Sequence, residues 1–182
     1  MRAIQLGAAG IGVLVLAGGA ARADSNYWYT IPVAASQNSI DGVRTLLLER
    51  GNNPDGIDSS TGRTALDYAV SFDNLQMATL LLDHGAHVDA LDQSGGTALH
   101  WAAELGKVDM IKFLLDHKAS VDATNRQGIT PLMLAASHAR PAAIKILLAH
   151  GADPKKQDYT GRDAIAWAGG KPAVMQALNA GR

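Results

Sequence analysis

The sequence predicts an all-α solenoid in which helix-turn-helix units, about five in number, are joined by short hairpin loops. Three observations predict it. A block opening Gly-x-Thr or Gly-x-Asp recurs at a constant offset, a leucine-rich block recurs at the same offset, and the apolar residues between them fall at helical spacing. A unit copied this often is architecture, because a reactive pocket is normally unique.

The first block reads GRTALDYA from Gly62, GGTALHWA from Gly95, GITPLMLA from Gly128 and GRDAIAWA from Gly161, with the same interval between each copy and the next. It begins the first, shorter helix of each unit, and Ala69, Ala102, Ala135 and Ala168 recur at one position where small side chains let neighbouring helices approach. The second block reads LLLDHGAHVDALD from Leu80, FLLDHKASVDATN from Phe113 and ILLAHGADPKKQD from Ile146, and it keeps the interval of the first. VRTLLLERGNNPDGID from Val43 is a degenerate earlier copy, with about one residue inserted before the next Gly-x-Thr.

The second helix of each unit shows one apolar stripe: Leu75, Ala78, Leu81 and Leu82 in one copy, Val108, Ile111, Leu114 and Leu115 in the next. Pro141 and Pro172 fall where such a helix begins, a position at which a missing N–H costs little. Gly85 and Gly151 would end it in the left-handed conformation. Lys118 replaces that glycine, so its helix end is either strained or differently shaped. The last unit is short; its second helix spans roughly Ala173 to Ala180, and Asn179 replaces the apolar Leu115 and Leu148 of earlier copies, as a terminal capping unit requires.

Thr130-Pro131-Leu132 and Thr97-Ala98-Leu99-His100-Trp101-Ala102-Ala103, with a leucine pair and Gly-Ala downstream, resemble the signature of the ankyrin repeat over nearly all of the chain after Ala23. The interval between copies is also the ankyrin period. On that resemblance the units run approximately 27–58, 59–91, 92–124, 125–157 and 158–182. The resemblance implies that His100 hydrogen-bonds backbone in a neighbouring turn and that Trp101 holds a packing position. It also implies a non-catalytic module that grips another protein on a concave face, formed by the hairpin tips and the exposed edge of each first helix. Carried over unit by unit, the partner-binding residues are Arg63, Gln93, Arg126, Ile129, Tyr159 and Arg162 at the tips, with Phe72, Glu104, Leu105 and His138 on the helix edge. Phe72, Leu105, Ile129 and Tyr159 are apolar or aromatic where the repeat does not demand it, and aromatic anchors rimmed by Arg favour interfaces.

The chain begins with one basic residue, Arg2, then an uncharged run from Ala3 to Ala21 and the tripeptide Ala21-Arg22-Ala23, the layout of an export signal cleaved after Ala23. The competing reading is an uncleaved anchor, which the Gly and Ala content of the run disfavours. A periplasmic location, a monomer and no membrane insertion after cleavage are therefore expected. Removal of Arg2 and Arg22 leaves 14 basic and 17 acidic residues, a net charge of −3 without the basic stripe that nucleic acid needs. There is no Cys, so packing alone must hold the fold.

No cofactor is expected. His84 and His87 lie three apart beside Asp83 and Asp89, and a periplasmic metal-binding protein using them is the alternative reading. Against it, His84 recurs as His117 and His150 at the period of the repeat, which copying explains. Asp55 and Asp58 read as turn chemistry rather than calcium ligands. No Gly-x-Ser-x-Gly elbow, His-Glu-x-x-His or Walker loop is present, so the chain is not expected to be an enzyme.

Overall fold

Helix starts are set by side chains that take up orphan backbone N–H groups. Thr64 Oγ1 accepts from the N–H of Asp67 (3.2 Å), while the N–H of Thr64 donates to Asp67 Oδ2 (2.8 Å). Thr130 Oγ1 accepts from Met133, and Asp163 Oδ1 from Ala166. Ser39 and Asn74 do the same for two of the second helices.

The architecture is that of a computed structural model describing residues 30 to 49 and 51 to 180; the export signal expected over residues 1 to 23 lies outside them. Ten helices are described: α1 (Ile31–Ser36), α2 (Ile40–Leu48), α3 (Ala65–Ser71), α4 (Leu75–Asp83), α5 (Ala98–Leu105), α6 (Val108–Asp116), α7 (Pro131–Ser137), α8 (Pro141–Ala149), α9 (Ala164–Ala168) and α10 (Pro172–Ala180). They pack as five pairs, with the odd-numbered helices forming an inner row and the even-numbered an outer row. Among the described residues there is no strand, only one isolated bridge between Ile57 and Thr64 in the hairpin that precedes α3. No described helix is long and apolar enough to cross a membrane.

The core runs through the whole stack. Leu66, Leu99 and Leu132 fill it from the inner row; Leu81, Leu114 and Leu147 fill it from the outer row. The alanines at 69, 102, 135 and 168 are fully buried, and a larger residue there would push neighbouring inner helices apart. The outer stripe differs from the expectation at its edge. Leu75, the first residue of α4, is 39% exposed, and Val108 and Leu82 are only partly buried. Met77 and Met110 are buried instead, because the face turned inward is centred one or two residues further along each helix.

Lys118 holds φ +70°, at the place where Gly51, Gly85 and Gly151 hold φ of +88° to +93°. Of the two readings of that position, the left-handed one is correct. Ala139 (φ +53°) carries the same kind of cost in the turn between α7 and α8, where Gly106 serves between α5 and α6.

Neighbouring units are joined by two series of hydrogen bonds. Along the hairpins, the N–H of Gln93 donates to the Gly62 carbonyl (2.7 Å), that of Arg126 to Ser94 (3.2 Å) and that of Tyr159 to Gln127 (3.1 Å). Beyond the outer helices, Asp55, Asp89 and Asp122 accept from the backbone N–H of His87, Ser120 and Asp153 in the following unit.

Candidate protein-binding face

Three of the four described hairpins are fastened to the inner helix that follows by a carboxylate. Asp58 Oδ1 accepts the N–H and hydroxyl of Ser60, while its Oδ2 accepts the hydroxyl of Tyr68 on α3 (2.7 Å). Asp92 takes the N–H groups of Ser94 and Gly96, the Ser94 hydroxyl, and Trp101 Nε1 of α5 (2.9 Å). Asp158 repeats this with Thr160, Arg162 and Trp167 Nε1 (3.0 Å). The fourth unit is the exception: its helix residue is Leu134, which has nothing to donate, and its hairpin residue is Asn125, whose Oδ1 serves the backbone of Gln127 and Ile129 only.

These bonds hold Asp58 and Asp158 charged. Burial raises the Asp58 carboxyl, but the donors from Ser60, Tyr68 and Thr61 outweigh it and hold it at about 2. Burial raises Asp158 too, and there the donors from Thr160, Arg162 and Trp167 bring it far below the usual carboxylate range. Trp101 therefore does more than pack. It ties the hairpin tip to the helix that forms the floor of the face.

On this frame the predicted residues fall in three rows. The first follows the tips: Gln93, Arg126 and Tyr159 are all exposed, and each lies over a left-handed glycine of the preceding unit (Gly62, Gly95 and Gly128). A Cβ at Gly128 would come within 2.8 Å of the Tyr159 ring, so the glycine makes room for the tip residue as well as adopting the turn. The second row is the open stripe of the inner helices: Trp101, Glu104 and Leu105 on α5, at spacing i, i+3, i+4, and Ser71 and Phe72 at the same register on α3. Tyr68, the counterpart of Trp101, is buried.

Arg63 connects tip to stripe. Its guanidinium stacks 3.7 Å from the Trp101 ring and donates to Ser71 Oγ (3.2 Å). Arg162 stacks 4.3 Å from the Trp167 ring and pairs with Asp158 (2.9 Å). Both belong to the face, but part of their surface is taken up in these contacts.

The third row closes the inner-helix ends. His138 Nε2 lies 3.5 Å from Glu104 Oε1, and Arg140 Nε donates to the Glu104 carbonyl (3.0 Å) while covering Gly106. Lys107 pairs with Asp73 of the unit before (3.3 Å). Phe72 is 46% exposed and Tyr159 77%, while Leu105 is partly buried.

Ile129 must be withdrawn from the partner-binding set. It is 7% exposed and belongs to the core, because a short hairpin directs this position inward unless it carries a side chain long enough to escape, as Arg63 and Arg162 do. Arg140 and Lys107 enter the face in its place. Their turn position gave no signal in a reading centred on the tips and helix edge.

His100 behaves as the signature implied. Its Nε2 donates to the Ile129 carbonyl of the next unit (3.0 Å), its Nδ1 accepts from the Thr97 N–H (3.1 Å), and burial lowers its pKa. His84 turns away from His87: its Nδ1 bonds the Leu80 carbonyl of its own helix (2.9 Å), as His117 and His150 do with Phe113 and Ile146. His87 pairs with Asp55 of the preceding unit, which raises its pKa. Among the described residues no group of three or more His, Asp or Glu is gathered as metal ligands would be.

A stack of hairpins and paired helices that presents one continuous face of tips and inner-helix edges defines a helical repeat scaffold. The family model for ankyrin repeats (3 copies) matches residues 1–92 and 86–158. The chain belongs to the ankyrin repeat family. It is 40% identical over 77 residues to the Ankyrin repeat and LEM domain-containing protein 1 homolog of Caenorhabditis elegans, covering 42% of this chain and 11% of that protein. It is 50% identical over 50 residues to the B-cell lymphoma 3 protein homolog of Mus musculus, covering 28% of this chain and 11% of that one. The matched segments thus span about a tenth of each relative, so the likeness is one of the repeat scaffold. Ankyrin repeats generally mediate contact between proteins and are typically non-catalytic.

Proposed function

We propose that this chain is an exported, periplasmic binding module that holds one partner protein against the hairpin tips and the inner-helix stripe. The observation that carries the reading is the exposure of Phe72 and Tyr159, at 46% and 77%, on a face where Arg63, Arg162, Glu104 and His138 are engaged in hydrogen bonds, ion pairs or stacking. Large apolar side chains left in water at positions the fold does not use are what an interface anchor requires. Gln93, Arg126, Glu104, Leu105 and His138 supply the polar and apolar rim, and Arg63 and Arg162 keep it rigid. A rigid face loses little entropy on binding. Support of a periplasmic enzyme and neutralisation of a toxin are the two roles that the family resemblance suggests for such a module, with the protein acting as a monomer after cleavage at Ala23.

The test is capture by cross-linking in the periplasm, followed by affinity measurement with Phe72→Ala and Tyr159→Ala. Each should weaken binding by roughly 5-fold to 1,000-fold, the range for anchors worth about 1 to 4 kcal/mol. Unchanged affinity in both, together with loss of capture on charge reversal at Lys112 or Lys145 of the outer helices, would place the interface on the other side. Sequencing of the mature N-terminus tests the export reading separately: a start at Asp24 supports it, and full-length chain in the membrane fraction supports the anchor.

A further inference from the structure

Asp67 occupies the position in its unit that His100 occupies in the next. Both side chains are buried at the start of an inner helix and both close their own helix cap through a bond with the preceding threonine. The similarity stops there. His100 has a second polar atom, Nε2, which donates to the Ile129 carbonyl and so bonds its unit to the following one. The second polar atom of Asp67, Oδ1, has no partner, and it is the sole such buried side-chain atom among the described residues.

By the repeat register, the carbonyl that corresponds to Ile129 is that of Gly96. A carboxylate cannot donate to a carbonyl, whereas a carboxylic acid can. The joint served by Asp67, between α3–α4 and α5–α6, is also the most sparsely packed in the stack, in the inner row and in the outer row alike. It has the least packing to offset a buried charge left unpaired.

We propose that Asp67 is a proton-operated latch between the second and third units: protonated, it holds the joint closed; ionised, it leaves an unpaired charge that loosens the first two units from the remaining three. The groups that face it fit this role. Burial dominates and pushes its carboxyl up to about 7; the bonds from Thr64 oppose the rise, Asp92 of the next hairpin adds to it, and Arg63 reduces it. Of the helices packed on α3, α1 (IPVAAS) has no ionisable side chain, α4 has only Asp83 at its exposed end, and α5 offers His100 and Glu104.

The sign follows from linkage. An ordinary Asp in the unfolded chain loses its proton near pH 3.9, so between there and about 7 the folded chain holds a proton that the unfolded chain has lost. Stability from this site is greatest in acid and falls as pH rises to about 7. His100 works in the opposite sense: its lowered pKa removes stability as pH falls below the ordinary histidine value of about 6.5. The same position in adjacent units thus makes one joint fasten in acid and the next fasten in base.

The experiment is a carbon-13 titration of the side-chain carboxyls in the whole chain, paired with amide exchange at about pH 5 and 8, corrected for intrinsic rates. In the parent, one carboxyl should titrate with a midpoint near 7 and vanish in Asp67→Asn. Protection of α3 and α4 should fall at least about tenfold across that range, which is one pH unit of linkage, while protection of α7 and α8 does not. Asp67→Asn, a neutral isostere, should remove that drop. His87 beside Asp55 titrates with the same sign at the preceding joint, so the difference between parent and variant is the reading that counts. If Asp67→Asn fails to fold, Asp67→His supplies the neighbouring unit's solution and should reverse the pH response of α3 and α4. All carboxyls titrating below about pH 5, or equal pH responses in parent and variant, would overturn the proposal.

Discussion

Leu99 and Leu105 stand on the same helix, α5, and answer to different demands. Leu99 is fully buried, and its counterparts are Leu66, Leu132 and Ile165; Leu105 is partly exposed, and its counterparts are Phe72 and His138. On the buried side of the inner helices the residue is dictated by the space between units, so it is copied. On the open side nothing in the scaffold selects it, so it varies. Variation between copies in one chain therefore separates what builds the stack from what is free to bind.

The strongest way to break this contrast is Leu99→Ala. It removes a fully enclosed side chain and should cost about 2 to 5 kcal/mol, read from denaturant unfolding; a cost near zero would mean that the copied side is not the structural one. Ile129→Ala comes next, at about 2 to 4 kcal/mol, because a residue at a hairpin tip has been drawn into the core. If it instead unfolds like the parent and weakens partner capture, Ile129 belongs to the open side after all. Lys118→Gly should raise stability by about 0.5 to 1 kcal/mol, since the backbone is already left-handed at φ +70° and glycine adopts that at no steric cost. Phe72→Ala should be the smallest, within about 0.5 kcal/mol, and a thermal melt that leaves the midpoint unchanged while affinity falls would sharpen the contrast most.

The repeat, the helix order, the cross-unit bond of His100 and the special place of Lys118 were all legible, because each depends on residues at a fixed offset along the chain. Ile129 and Leu75 were not. Their burial depends on how far a hairpin or a first helical turn projects, and spacing carries no information about depth. The stacking of Arg63 on Trp101 was hidden for a related reason: it pairs residues from different units, and an offset does not say which side chains meet across a joint. The carboxylate fastening of the hairpins could have been found. Asp occurs at 58, 92 and 158, where Tyr68, Trp101 and Trp167 have something to donate, and Asn occurs at 125, where Leu134 does not. Comparing two positions across the units, rather than one, exposes that correlation.

The acceptors at Asp55, Asp89 and Asp122 give successive units matching seams: one carboxylate offered forward, one backbone N–H offered back. A gene that duplicates a whole unit between those seams produces a longer protein with each new bond already matched, and one that loses a whole unit leaves no end unmatched. The pattern stops at the fourth unit, where Lys155 stands in the register of the three aspartates and presents a cation in place of an acceptor. The molecule can therefore be lengthened or shortened by inheritance among the units whose seams carry the aspartate, while the joint to the fifth unit has to be held without it.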